Sequence, residues 1–226
     1  METVKSGPRL GILGGTFDPI HYGHLRLAEE VGESLNLEHV YLIPAALPPH
    51  KGQRRVSAFS QRLEMTRIAS AESPRLKVLD LEGRREGFSY SIETLKIFHE
   101  IVHPDLDLHF VLGMDAFLEI ETWKDFRNLF NYAHFVVIQR PGFPSDVLES
   151  FLLTLGVNFR KKDQEGNRFL SPSGYEVISM EATLMDISST KIREKVAAGK
   201  SIRFLVPEAV RSYIHMNRLY GAHENA

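Results

Sequence analysis

The chain has 226 residues, of which 43% are apolar, 25% charged and 10% aromatic. That is ample material for a buried core, and it excludes the disordered and fibrous classes. The 27 Lys and Arg residues against 29 Asp and Glu leave a formal charge of -2. No global basic field gathers polyanions, so a nucleic-acid partner is disfavoured, whereas small phosphorylated ligands are not. Cysteine is absent, which excludes disulfides, thiolate metal ligands and cysteine nucleophiles and fits a reducing, cytoplasmic setting. The first residues lack a secretory apolar core, and no apolar run approaches the ~18 residues of a membrane span. The expectation is a soluble protein with no membrane partner, built as one domain over 1–226.

Short β-branched runs alternate with longer segments of helical period, the pattern of βαβ units and hence of an α/β, doubly wound parallel sheet. In chain order the pattern predicts a strand at 10–13, a helix at 24–35, a strand at 40–43 and a helix at 58–71. A strand at 76–81, a helix at 91–102, a strand at 108–112 and a helix at 122–131 follow. A strand at 135–138, a helix at 146–155 and a strand at 176–179 complete the core, which spans about 8–185. The strands are apolar enough to be buried on both faces, and Ser57, Ser91 and Thr122 read as helix caps. The polar stretch 157–174 reads as a solvated loop or hairpin. Beyond it, over about 186–220, a C-terminal helical segment has helices at 189–198 and 207–217, with Gly199 as the stop and Pro207 in a first turn. It is expected to pack back onto the sheet.

Open α/β sheets bind ligands beyond the carboxyl ends of their strands, which directs attention to Gly14-Gly15-Thr16-Phe17-Asp18-Pro19-Ile20-His21-Tyr22-Gly23-His24. The paired glycines let backbone N–H groups approach a ligand, and His24 opens a helix whose N-terminus favours an anion. Neither common nucleotide fingerprint fits. Thr16 breaks the GxGxxG pattern, and Gly199-Lys200-Ser201 has Glu194 where a Walker loop needs glycine. His21 and His24 could be metal ligands, but no local motif supplies a third. Hydrogen-bonding or protonated imidazoles at a helix start suit phosphates that gain charge during group transfer.

The Gly14–His24 run resembles the HxGH loop of the nucleotidyltransferase superfamily, and Ile187-Ser188-Ser189-Thr190-Lys191-Ile192-Arg193 resembles its ISSTxIR element. Four more segments resemble bacterial-type nicotinate-nucleotide adenylyltransferases: Pro48-Pro49-His50-Lys51, Phe88-Ser89-Tyr90-Ser91-Ile92-Glu93-Thr94-Leu95, Leu112-Gly113-Met114-Asp115 with Trp123, and Arg140-Pro141-Gly142. The resemblance implies a Rossmann-like fold, ATP and nicotinate mononucleotide as substrates, deamido-NAD and pyrophosphate as products, and magnesium carried with ATP. It implies an ATP site of Gly14, Gly15, Thr16, Phe17, His21, His24, Gly113, Asp115, Ser188, Ser189, Thr190 and Arg193, completed by the C-terminal helices. It implies a nicotinate-nucleotide site of Lys51, Ser91, Thr94, Trp123, Lys124 and Arg140. Ser91 and Glu93 depart from the family's usual Thr and Asp, retaining the hydroxyl and the charge.

The chemistry explains the inventory. The attacking phosphate has a second pKa of about 6, so at neutral pH it is already ionised and needs no general base. What remains is to align two anions and neutralise charge on the α-phosphate and pyrophosphate. His21, His24, Lys51 and Arg193 are the expected catalytic donors, with no protein metal cage, since magnesium can bridge the triphosphate. Asp18 acts through water or fixes the loop. Ser91 and the backbone N–H of Lys124, placed in a helical first turn, are expected to receive the nicotinate carboxylate. Plainer alternatives stand beside these: Lys51 as a solvated lysine, Trp123 as core, Arg140 and Asp115 as caps, Thr94 as a helix-interior hydroxyl. Rival functions are a pantetheine-phosphate-type adenylyltransferase and a catalytically silent nucleotide sensor or scaffold. A homo-oligomer stays open.

Overall fold

A computed structural model describes residues 7–47, 56–85, 87–102, 106–139 and 146–221. In chain order the elements are β1 (Arg9–Gly15), α1 (Tyr22–Ser34), β2 (His39–Pro44), α2 (Phe59–Ser70), β3 (Leu76–Val78), α3 (Ser91–Ile101), β4 (Asp107–Gly113) and α4 (Met114–Phe117). They continue with α5 (Phe126–Leu129), β5 (His134–Ile138), α6 (Val147–Thr154), β6 (Arg160–Lys161), β7 (Arg168–Leu170), β8 (Glu176–Met180), α7 (Ser189–Ala197) and α8 (Glu208–Met216).

The sheet order is β3-β2-β1-β4-β5-β8-β7-β6, parallel from β3 through β8. This is a Rossmann-like, mostly parallel sheet with helices on both faces. Side chains alternate across a strand, so Ile12 and Leu13 of β1 enter different cores. Leu13 joins Leu25, Ala28 and Val31 of α1, and Ile12 joins Ile92, Leu95 and Phe98 of α3. Since β1 pairs with β2 on one side and β4 on the other, the chain leaves it in opposite directions. The crevice beyond the carboxyl ends of β1 and β4 is the switch point where such sheets take ligands.

The C-terminal segment packs back as expected. Ile192, Val196, Val210 and Ile214 are buried in the same core as Leu13, Val111 and Val136; burying side chains of this size stabilises by about 1.5–3 kcal/mol each. Gly199, at φ 65, ends α7. Its N–H bonds to the Val196 carbonyl and that of Lys200 to the Lys195 carbonyl, closing a glycine-stopped helix end. Among the described residues no helix is long and apolar enough to cross a membrane.

Local details depart from the expectations. The third strand ends at Val78 rather than 81. The helix expected over 122–131 is broken: a 3₁₀ turn covers Ile120–Thr122, Asp125 is left-handed at φ 53, and only Phe126–Leu129 is α-helical. Ala58 and Tyr90, not Ser57 and Ser91, are the N-caps of α2 and α3, and Thr122 Oγ1 donates back to the Glu119 carbonyl. Pro207 precedes α8 as its N-cap. The 157–174 stretch is a hairpin whose β7 pairs antiparallel to β8. Asp163 Oδ1 closes its turn by accepting the N–H groups of Asn167 and Arg168.

Candidate active site

The β1–α1 turn is built around its aromatic rings. Phe17, at φ 49, folds back over Gly15; a Cβ there would meet the Phe17 ring at 2.7 Å, so only glycine fits. Gly14 is exposed, and among the described residues only the Phe110 ring edge lies within 4.0 Å of where a Cβ would be, leaving its backbone approachable. The helix starts two residues earlier than expected: His21 is the N-cap of α1 and His24 its third residue. The two imidazoles stack at 3.7 Å between centroids, and Phe17 meets His24 edge-on at 5.0 Å. Gly23 permits the stack, since a Cβ there would press to 3.1 Å from His21 Nδ1.

His24 Nδ1 accepts the His21 N–H at 3.3 Å, so in the neutral ring the proton sits on Nε2. His21 is 6% exposed, and burial pulls its pKa down to about 4. It is a neutral imidazole at physiological pH, the hydrogen-bonding rather than the protonated of the two forms expected of these rings.

Asp18 fixes the loop, as one of its two expected roles had it. Its Oδ1 accepts the Tyr220 hydroxyl at 2.7 Å and its Oδ2 the Ser57 N–H at 3.2 Å. The start of α7, about 170 residues away in sequence, is tied to the same turn. Ser189 Oγ donates to the Pro19 carbonyl at 2.8 Å. Arg193 Nη1 donates to the Asp18 carbonyl at 2.7 Å, while its Nη2 donates to Thr190 Oγ1 at 3.2 Å. Ser188 Oγ caps α7 by accepting the Lys191 N–H. These hydroxyls therefore hold the protein together. The N–H groups of Ser189 and Thr190 have no acceptor among the described residues, as a helix start aimed at an anion requires.

Three supporting residues escaped the sequence reading. Arg62, 1% exposed, donates Nε to the Ser57 carbonyl, Nη1 to those of Thr16 and Ala45, and Nη2 to that of Ala46. One buried guanidinium thus joins the ends of β1 and β2 to the start of α2. Its signal was present: an arginine on the apolar stripe shared with Met65 and Ala69. Ser89 Oγ accepts the N–H groups of Ala46 and Leu47; it lies in the Phe88–Leu95 run, which gave it no role. Tyr220 anchors Asp18 and has no sequence signal.

Across the crevice, Gly113 caps α4 and Asp115 lies exposed in its first turn. Ser91 is the first residue of α3, and its hydroxyl has no described partner. Thr94 is 2% exposed. Its hydroxyl donates to Glu82 Oε1 at 2.9 Å and accepts from Arg85 Nη2 at 3.2 Å. Trp123 is half-buried, edge-on to Phe110 at 6.2 Å. Lys124 precedes the left-handed Asp125 and lies outside any helix, which corrects its placement in a helical first turn. Its Nζ lies 2.5 Å from Glu93 Oε1 and 4.4 Å from the Tyr90 ring centre, latching the Trp123 loop to α3. Lys51, with Pro48-Pro49-His50, and Arg140, with Pro141-Gly142, lie outside the described residues.

With this geometry in place, likeness to known proteins becomes informative. The profile of the Cytidylyltransferase-like family matches residues 12–195, ending before α8 and Tyr220. The chain belongs to that family of nucleotidyltransferases. A probable nicotinate-nucleotide adenylyltransferase from Geotalea daltonii is 44% identical over 94% of this chain and 98% of its own length. One from Syntrophotalea carbinolica is 43% identical over 96% of this chain and 100% of its own. Within the larger family, the chain belongs with the nicotinate-nucleotide adenylyltransferases. The fold is shared with Plasmodium falciparum nicotinic acid mononucleotide adenylyltransferase, at 20% identity over 96% of this chain and 99% of that one. The TM-score is 0.72 for its complex with APC and 0.73 for its complex with NaAD.

Proposed function

We infer that this chain transfers the adenylyl group of ATP to nicotinate mononucleotide, giving deamido-NAD and pyrophosphate. The observation that carries the reading is the junction of the His21–His24 turn with the start of α7, made by Ser189 on Pro19 and Arg193 on Asp18. It gathers two imidazoles, a guanidinium and unpaired helix N–H groups at the switch point of the sheet.

The mononucleotide phosphate attacks the α-phosphorus in line, already ionised and without a base. Negative charge moves onto the leaving pyrophosphate. His24 meets it with Nε2–H, neutral His21 contributes a hydrogen bond rather than a full charge, and Arg193 contributes its guanidinium donors. The N–H groups of Ser189 and Thr190 add the positive end of the α7 dipole. Lys51 and Arg140, outside the described residues, are assigned to the phosphates and the mononucleotide by the family resemblance alone. Gly14, Gly15, Thr16, Phe17, Gly113 and Asp115 line the ATP side.

Asp18 has both carboxylate oxygens engaged, so the described turn offers donors to a triphosphate rather than a cage for an ion. These residues fit magnesium that enters on ATP and is held by phosphate oxygens and water. Bound there, it would neutralise part of the triphosphate charge.

On the acceptor side, Trp123 offers a face for the pyridine ring. Ser91 Oγ, at the positive end of the eleven-residue α3, and the Lys124 N–H are the donors for its carboxylate. Thr94, its hydroxyl held by Glu82 and Arg85, stands three residues further along α3. The test is pyrophosphate release from ATP with nicotinate mononucleotide, nicotinamide mononucleotide and phosphopantetheine in parallel. The expected result is fastest release with nicotinate mononucleotide. Preference for phosphopantetheine would overturn the acceptor assignment, and silence with all three would leave a nucleotide sensor.

A further inference from the structure

Asp18, within the HxGH turn, is bonded both to the segment that leads into α2 and to the C-terminal tail. Its carboxylate is 3% exposed, and its strongest side-chain partner comes from the far end of the chain. Tyr220 reaches it from a 3₁₀ turn, Leu219–Gly221, that follows α8. The backbone there is strained: Tyr220 sits at φ 57 and Arg218 at φ 50, left-handed conformations that non-glycine residues hold only where their surroundings enforce them. Burial and the neighbouring Asp18 charge raise the Tyr220 pKa, so the hydroxyl keeps the proton it donates.

Consequences follow along the chain. Asp18 Oδ2 holds the Ser57 N–H, and the Asp18 carbonyl holds Arg193. Three residues further, His21 begins α1. A carboxylate buried this deeply, with one partner removed, relaxes toward another donor or water and carries its backbone with it.

We propose that Tyr220 is a positioning residue for adenylyl transfer, holding Asp18 so that His21, His24 and Arg193 stand in register with the triphosphate. The tail beyond α8 is then part of the active-site support. The proposal rests on the adenylyl-transfer reading only for its kinetic consequence.

Tyr220→Phe removes one oxygen and keeps the ring packed. On the full chain, kcat is expected to fall about tenfold, as for losing a hydrogen bond to a charged group. The KM for nicotinate mononucleotide should stay within about twofold, since the tail does not reach that side. Hydrogen exchange supplies a readout independent of turnover. The amides of Ser57, Phe17, Asp18, Ile20 and His21 should exchange faster, while those of β5 and β8 keep their protection. Unchanged kcat, or acceleration spread equally over β5 and β8, would overturn the proposal, the second because it marks a loss of global stability alone. If the wild-type chain releases no pyrophosphate, the adenylyl-transfer reading fails, and the exchange pattern still decides whether Tyr220 holds the turn.

Discussion

The sheet carries a stacked histidine pair at each end, and each pair sits beside an aspartate. His21 and His24 stack at 3.7 Å near Asp18 at the carboxyl end; His109 and His134 stack at 4.7 Å near Asp107 at the amino end. The ligand atoms of Asp107, His109 and His134 lie within 4.8 Å of one another, a spacing that would suit a metal ion. The hydrogen bonds argue otherwise. His134 Nδ1 accepts the Glu176 N–H at 3.0 Å, so the neutral ring carries its proton on Nε2, 3.1 Å from Asp107 Oδ1. Nε2 cannot bind a metal while it holds that proton. Asp107 Oδ2 is taken by Arg9 Nε at 3.0 Å. This cluster pairs the first residues of β1, β4, β5 and β8 and functions as a strut. At the other end, Asp18 spends its carboxylate on Tyr220 and the Ser57 N–H, and the imidazoles ride on a loop and a helix start. Like residues become strut or donor set according to what orients them.

The sharpest way to break this contrast is His24→Ala beside Asp107→Asn. His24→Ala should lower kcat by about 100- to 1,000-fold with a smaller change in KM, as for a donor used in the transition state. Asp107→Asn should reduce stability and leave kcat within about twofold. Steady-state kinetics and thermal melts on both variants check this; a His24→Ala enzyme with wild-type kcat removes His24 from the mechanism.

Acid exposes what the two ends share, a buried neutral imidazole in each. Burial holds the His21 pKa down at about 4 and that of His109 at about 3. The unfolded chain protonates both near 6.5, so below that pH it binds more protons than the folded chain and stability falls as pH falls. The His21 share is fully present above pH 6.5 and is lost down to about 4, amounting to roughly 3 kcal/mol. Denaturant midpoints from pH 7.5 to 4 should show the loss, and His21→Gln and His109→Gln should each flatten part of it. A curve unchanged in His21→Gln would contradict a buried neutral His21.

Two smaller effects sharpen the division within the crevice itself. Two donors at Ser91 and Lys124 suit a carboxylate, whereas a carboxamide turns its NH₂ against one of them. One lost charge-assisted bond predicts at least about tenfold preference in kcat/KM for nicotinate over nicotinamide mononucleotide. A ratio near one would refute the two-donor pocket. Smallest is Trp123→Ala, expected to raise the KM of the pyridine nucleotide by about fivefold, some 1 kcal/mol of stacking, with ATP affinity unchanged. Equal damage to both substrates would make Trp123 a core residue.

Composition and periodicity by themselves determined the class of fold, the six parallel strands and the two helices of the tail, because a strand buried on both faces must be apolar and its covering helices must be amphipathic. The Gly14–His24 and Ile187–Arg193 runs likewise disclosed the family, since glycines and helix-start hydroxyls are dictated by local backbone geometry. Tertiary structure alone decided the rest. The break at Asp125 and the N-caps Ala58 and Tyr90 came from contacts that override local propensity. That His21 is neutral follows from its burial, a property of everything packed around it. Ser89 and Tyr220 took their roles from amides and a carboxylate far away in sequence. Such partners leave no periodic trace, because a hydrogen bond between distant segments exists only after the chain has brought them together.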